Sequence, residues 1–221
     1  MRNFGHGKCL SRALFLLGGL VSLSAIHAAD SRQYRGFTID VSRVRRLPNL
    51  DAICSATQEQ IDIVCAVGVP AGMLEFFQGV RFEIVPPGVI SPGNPGLYSW
   101  ITKTVQVTAV VVIAGHKPIL LHELLHAYHD QRIPDGFGNS EIARFYQRAK
   151  AIPAYPAKSH MMSNDREFFA CAGTAYLFGV TAQEPFRREK VRDSQPDFYA
   201  YLKELFGPTA GGYQGSLADP K

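Results

Sequence analysis

Residues 120–131 read "LLHELLHAYHDQ". Two histidines, His122 and His126, bracket Glu123 in an apolar, helix-prone run. A helix turns ~100° per residue, so His122 and His126 project within ~40° of each other, one turn apart. Two imidazoles at that separation reach one tetrahedral zinc ion. Glu123 falls at the edge of the same face, where a carboxylate can hold water, accept its proton and pass it to a leaving group. Zinc in such a setting polarises a carbonyl and activates the water. The competing reading is a half-buried helix with incidental histidines. With seven histidines among 221 residues, a chance His-Glu-x-x-His is expected in about one such chain in a hundred.

Zinc needs a third protein donor. His129 shares the face of His122, but the two lie ~10 Å apart along a straight helix, too far to share an ion. No glycine follows His126 to turn the chain, as a His-x-x-Gly-x-x-His pattern requires. His129 therefore reads as a surface or outer residue, and His116 as a loop residue. Glu167, in "SNDREFFACAG", is the better candidate, a carboxylate in the first turn of an otherwise apolar helix. Its alternative role is a favourable contact with the helix dipole. Cys171, one turn on, is a rival ligand because thiolate binds zinc; a buried cysteine is otherwise ordinary packing.

The elements that must position these residues follow from pattern. Thr57 and Gln60 have capping-box spacing, so a helix starts near Thr57. Residues 61–80 form two short helices broken at Gly68 and Pro70. "VRFEIVP" (80–86) alternates as a strand, "PPGVISPGNPG" is a loop, and 97–114 holds one or two strands. Pro118 opens the helix of the histidines, which stops before Pro134. Ser140 caps "EIARFYQRAKAI", and Pro153 and Pro156 end it. Asn164 caps 165–179, with Asp165 and Glu167 in its first turn. A last helix covers 197–207. Helices beside a small mixed sheet, without regular βα alternation, give an α+β fold, mostly helical.

The amino terminus is built as a signal peptide: Arg2, Lys8 and Arg12, an apolar stretch to Ile26, then Ala28 and Ala29. Cleavage after Ala28 leaves a single domain, 29–221, whose last residues, 208–221, are Gly/Pro-rich and expected to fray. The chain carries +4 overall. The leader holds three of the basic residues and no acids, so the remainder sits at 20 − 19 = +1. That balance gives no footprint for nucleic acid or an anionic membrane, and no membrane insertion is expected once the leader is removed. An exported chain meets oxidising conditions, where the three remaining cysteines leave at least one thiol unpaired. Cys54 could reach Cys65 only if its segment folds back along the helix.

"HELLH" followed by "NDREFFACAGTAYLFG" resembles the glutamate-zincins, and more closely the catalytic domain of anthrax lethal factor and its relatives. The resemblance spans roughly residues 97–180. It implies a zincin-like fold, His122, His126 and Glu167 as ligands of one zinc ion, and Glu123 as general base. The family places an oxyanion-supporting tyrosine seven residues before the ligand glutamate; here that residue is His160, with Tyr155 as a nearby substitute. It also places an acid one turn after that glutamate, where this chain has Cys171, a change expected to weaken metal binding. The implied protein is a secreted or periplasmic zinc metallopeptidase. Its peptide or protein substrate would pair with an edge strand within 104–113. The alternatives are a zinc-binding protein that docks a partner without hydrolysis, and a zinc amidase acting on a non-peptide or cell-wall amide.

Overall fold

The computed structural model describes residues 30–113 and 117–208. The leader, His116 and the tail from 209 on lie outside these residues. Five strands form one mixed sheet: β1 (Ser31–Tyr34), β2 (Phe37–Asp40), β3 (Arg81–Val85), β4 (Gly96–Ser99) and β5 (Thr104–Thr108), in the order β1-β2-β3-β5-β4. The central strands β2, β3 and β5 run parallel, with Phe82 opposite Val105 and Ile84 opposite Val107. Both outer strands are antiparallel to their neighbours. The first hairpin turns through Arg35 and Gly36, both at positive φ, the two-residue geometry that matches strand twist.

β5 is therefore paired on both sides, and residues 109–113 continue no strand. Among the described residues, the free edge on this side belongs to β4. The expectation of an edge strand within 104–113 is corrected accordingly. The physical reason is that β4 folds back antiparallel onto β5, with Gly96 opposite Val107 and Ser99 opposite Thr104.

The described residues form seven α-helices, in chain order α1 (Leu50–Ala66), α2 (Ala71–Gly79), α3 (Ile119–Arg132), α4 (Ser140–Ala151), α5 (Asp165–Phe178), α6 (Arg188–Ser194) and α7 (Pro196–Phe206). Together with the sheet they make an α+β fold. α1 begins seven residues before Thr57. Thr57 lies inside it and donates its hydroxyl to Ile53 O at 2.9 Å, so no capping box forms. Cys54 and Cys65 consequently sit on one helix, eleven residues apart, ~16 Å along the axis; both are free thiols, as is Cys171. Helix α4 is capped one residue earlier than Ser140, by Asn139, whose Oδ1 accepts from Ile142 N at 2.9 Å. The hairpin β1–β2 and helix α6 have no counterpart among the sequence-based expectations.

The core runs between the sheet and α3, and on through α5 to α7. Leu120, Leu121, Leu124 and Leu125 are buried on α3, and Phe168 and Phe169 on α5. Phe168 stacks on Phe198 of α7 with centroids 4.6 Å apart, and Tyr176 donates its hydroxyl to Gly207 O at 2.7 Å. Burying aromatic rings of this size gives the largest apolar gain per residue. It clamps α5 between α3 and α7, so the first turn of α5 is fixed against the middle of α3. None of the helices among the described residues is long and apolar enough to cross a membrane.

Candidate metal centre

The start of α3 has no side-chain cap of its own. Gln60 of α1 supplies one from outside, its Oε1 accepting from Leu120 N at 3.3 Å. This satisfies one of the amide groups that a helix leaves open at its first turn. The start of α5 is held by Asn164, whose Oδ1 accepts from Arg166 N at 3.0 Å and Glu167 N at 2.9 Å. These two caps set the register in which α3 and α5 meet.

At that contact three donor atoms converge. His122 Nε2 lies 3.1 Å from His126 Nε2 and 3.2 Å from Glu167 Oε2. His126 Nε2 lies 3.3 Å from the same oxygen. Donors bound to zinc at ~2.0–2.1 Å with tetrahedral angles stand ~3.3–3.4 Å apart. The observed triangle therefore has the size of one face of a zinc tetrahedron, and its residue types suit that metal. The three side chains are largely shielded, with exposures of 11%, 9% and 20% for His122, His126 and Glu167. Bringing two ring nitrogens and a carboxylate oxygen together out of water costs free energy unless a cation or shared protons occupy the gap.

His160 closes one side of this triangle. It heads a short 3-10 turn, His160–Met162, anchored by the buried Met161 and Met162. Its Nε2 stands 2.9 Å from Glu167 Oε2, and its side chain remains 45% exposed. Cys171 is buried one turn beyond Glu167. With His122, His160 and Glu167 it keeps one donor atom each within 4.8 Å. Gln183 Nε2 donates to its Sγ at 3.5 Å. The cluster thus offers five side chains that could hold a metal ion, and the donor atoms of His122, His126 and Glu167 all stand within 3.3 Å of one another.

The electrostatics match a cation-seeking site. Burial alone would raise the Glu167 carboxyl, but His122, His126 and His160 together hold it far below the usual carboxylate range. Burial works against charge on His122, yet Cys171 and Glu167 hold it well above its ordinary value. Hydrogen bonding to Glu167 likewise raises His160, whereas burial pushes the Cys171 thiol up.

Glu123 is buried at 7% exposure and lies on the wall of a cleft of about 660 Å³. The cleft's other walls come from β4 and the loop before it, the first turn of α5, and residues 181–183. Glu123 is close to β4: a Cβ on Gly96 would sit 2.8 Å from Glu123 Cγ and 2.9 Å from its Oε1. Only a glycine lets the edge strand approach the carboxylate so closely. Gly96 and Gln60 are thus part of the site's construction, and spacing alone gave no sign of either.

The structure brings His122, Glu123, His126, His160 and Glu167 to this cleft. It does not bring Tyr155, which is buried elsewhere with its ring 5.3 Å from Lys190 Nζ. Burial raises that phenol to about 12. His129 is not a surface residue. It is 1% exposed, with its ring centroid 5.1 Å from Phe137 and 4.8 Å from Phe169. Burial, helped by His126 and Arg166, lowers it to about 4. The free pairing edge of β4 runs beside the site.

No protein-family profile matches this chain, and no curated protein matches it. Among solved structures it is similar to the PRO-PRO endopeptidase of Paenibacillus alvei, at 18% identity and a TM-score of 0.48, over 71% of this chain and 92% of that one. At that distance the likeness carries no weight; the fold and the site rest on the residues described above.

Proposed function

We propose that this protein is a zinc metallopeptidase of the glutamate-zincin type, related to the catalytic domain of lethal factor and acting in a secreted or periplasmic setting. His122, His126 and Glu167 hold one zinc ion. The carrying observation is the triangle of 3.1, 3.2 and 3.3 Å among their donor atoms, whose edges match a zinc tetrahedron. Bound there, zinc supplies Lewis-acid polarisation of a scissile carbonyl and makes a water molecule nucleophilic near neutral pH. Glu123, on the same cleft wall, accepts the proton of that water and delivers it to the leaving amine. His160, on the exposed side of the cluster, donates a hydrogen bond to the developing oxyanion. The burial of Tyr155 away from the cleft supports giving His160 this role. An extended peptide or protein segment pairs with the free edge of β4, next to Glu123.

The test compares wild type with Glu123→Gln, both loaded with zinc, on a broad peptide mixture read by mass spectrometry. Wild type cleaves, and the variant loses roughly 10²–10⁴-fold in rate at equal zinc content. Undiminished cleavage by the variant would sink the proposal.

One observation favours a second reading, a zinc protein that binds a partner without hydrolysing it. Cys171 keeps its donor atom within 4.8 Å of those of His122, His160 and Glu167, and a thiolate ligand would occupy the position that a catalytic site leaves open. That reading predicts full zinc and no cleavage in the same experiment.

A further inference from the structure

The cleft lining carries charged side chains beyond the proposed metal ligands. Its only acidic lining residues among those described are Glu123 and Glu167, both committed to the reaction; its cationic lining residues are Lys117 and Arg166. With a divalent cation in place the lining carries +2 +2 −2, a net of two positive charges, although the chain beyond the leader is nearly neutral. Without the cation these four side chains cancel, so the excess positive charge would come with the bound metal.

Arg166 is the better placed of the two. Its guanidinium lies over the Phe137 ring, 4.4 Å from the centroid, a cation–π contact that restrains a long side chain. Phe137 is itself positioned by the His129 ring at 5.1 Å and the Tyr98 ring at 6.3 Å. Among the described residues, no carboxylate forms an ion pair with Arg166. Arg166 is solvent-exposed, but its contact with Phe137 holds it on the cleft wall, next to Glu167 in the chain, with its fork open to an incoming group. His129 lies one turn beyond His126, so Arg166 guards the end of the cleft toward which α3 finishes. From the middle of the His122–His126 pair to the level of His129 is ~8 Å along the helix, which an extended peptide spans in about two to three residues.

We infer that Arg166 is a specificity residue that selects an acidic side chain, aspartate or glutamate, about two to three residues from the scissile bond, on the side of the cleft facing the end of α3. The bidentate guanidinium–carboxylate geometry favours this pairing over an amide. The inference deepens the peptidase reading but can fail independently of it.

The experiment uses zinc-loaded Glu123→Gln protein, immobilised, to select from a random peptide library, with bound peptides sequenced by mass spectrometry. Aspartate or glutamate is expected at one position, enriched about tenfold over asparagine or glutamine. The enrichment should disappear when Arg166→Gln is added and give way to lysine or arginine when Arg166→Glu is added. Zinc content and circular dichroism confirm that each variant is folded and loaded. An absence of acidic enrichment, an enrichment that survives Arg166→Gln, or a failure to retain any peptide would each overturn the inference. Digestion of the same library by wild type separates the two claims. Acidic peptides retained but never cut would refute hydrolysis and leave Arg166 as a recognition residue. Cutting without acidic preference would do the reverse.

Discussion

Substituting Gly96 by alanine tests how closely the edge strand and the Glu123 carboxylate are fitted. The new Cβ would stand 2.8 Å from Glu123 Cγ, 2.8 Å from Ile119 Cγ2 and 2.9 Å from Glu123 Oε1. Carbon atoms rest at ~3.5–4.0 Å, so the overlap is about 0.7–1.2 Å. β4 is pinned by its ladder to β5, and Ile119 is β-branched in the first turn of α3, with one favoured rotamer. Glu123 has the softer torsions and yields. Moving it off its rotamer costs about 0.5–1.5 kcal/mol, and the whole overpacked site about 1–3 kcal/mol. A general base displaced by about 1 Å loses on the order of 10²-fold in rate. The assay is kcat/KM on any peptide that wild type cleaves, with Tm and zinc content measured alongside. The expected outcome is a modest fall in Tm, unchanged zinc and a large fall in kcat. Gly72→Ala is the control, because a Cβ there meets nothing within 4 Å and alanine favours its helix. If Gly96→Ala keeps kcat within twofold of wild type while Tm falls, Glu123 is not the group that the strand positions for chemistry.

Three further outcomes follow from the same structure. Asn164→Ala removes both hydrogen bonds that cap α5; it should cost about 1 kcal/mol in urea denaturation and weaken zinc binding through loss of Glu167 register, whereas unchanged affinity would mean the cap does not position the glutamate. His129, held at about 4 by burial, is neutral in the folded chain while an unfolded histidine titrates near 6.5. Its contribution is therefore full above pH ~6.5 and is lost as pH falls toward 4, by up to about 3 kcal/mol. Subtracting the stability profile of metal-free His129→Leu from that of metal-free wild type should reveal this slope; parallel profiles would contradict it. Reductant should leave Tm unchanged, since Cys54 and Cys65 are free and far apart on one helix; a fall in Tm would indicate a disulfide.

The sequence carried the parts of the fold with local causes. Asn164 followed by acids, Pro118 before an apolar run and the break at Gly68–Pro70 each mark an end that local chemistry dictates, and the helices α3, α2 and α5 begin or stop there. What was illegible depends on partners distant in the chain. Thr57 has capping-box spacing, but tertiary packing extends α1 back to Leu50, and the hydroxyl turns to Ile53 instead. The short β1–β2 hairpin has little periodicity of its own; β2 is a strand because β3 runs beside it. Whether 104–108 is an edge or an interior strand depends on which side β4 folds, and no pattern within either strand encodes that. In the site, helical spacing placed His122 and His126 together, and the first-turn position of Glu167 drew notice. The burial of His129 depends on Phe137 and Phe169, and the distance of Tyr155 from the cleft on the packing of the segment after α4. Neither has a signal in residue spacing.

Zinc per chain in purified protein, wild type against Glu167→Ala with folding matched by circular dichroism, tests the metal site most directly. Wild type should carry about one zinc and the variant much less, because removing Oε2 opens the triangle with His122 and His126. Equal zinc in both would place the third ligand elsewhere in the cluster, with Cys171 the next to substitute. No zinc in either after metal loading would rule out the metal site and leave "LLHELLHAYHDQ" as a core helix.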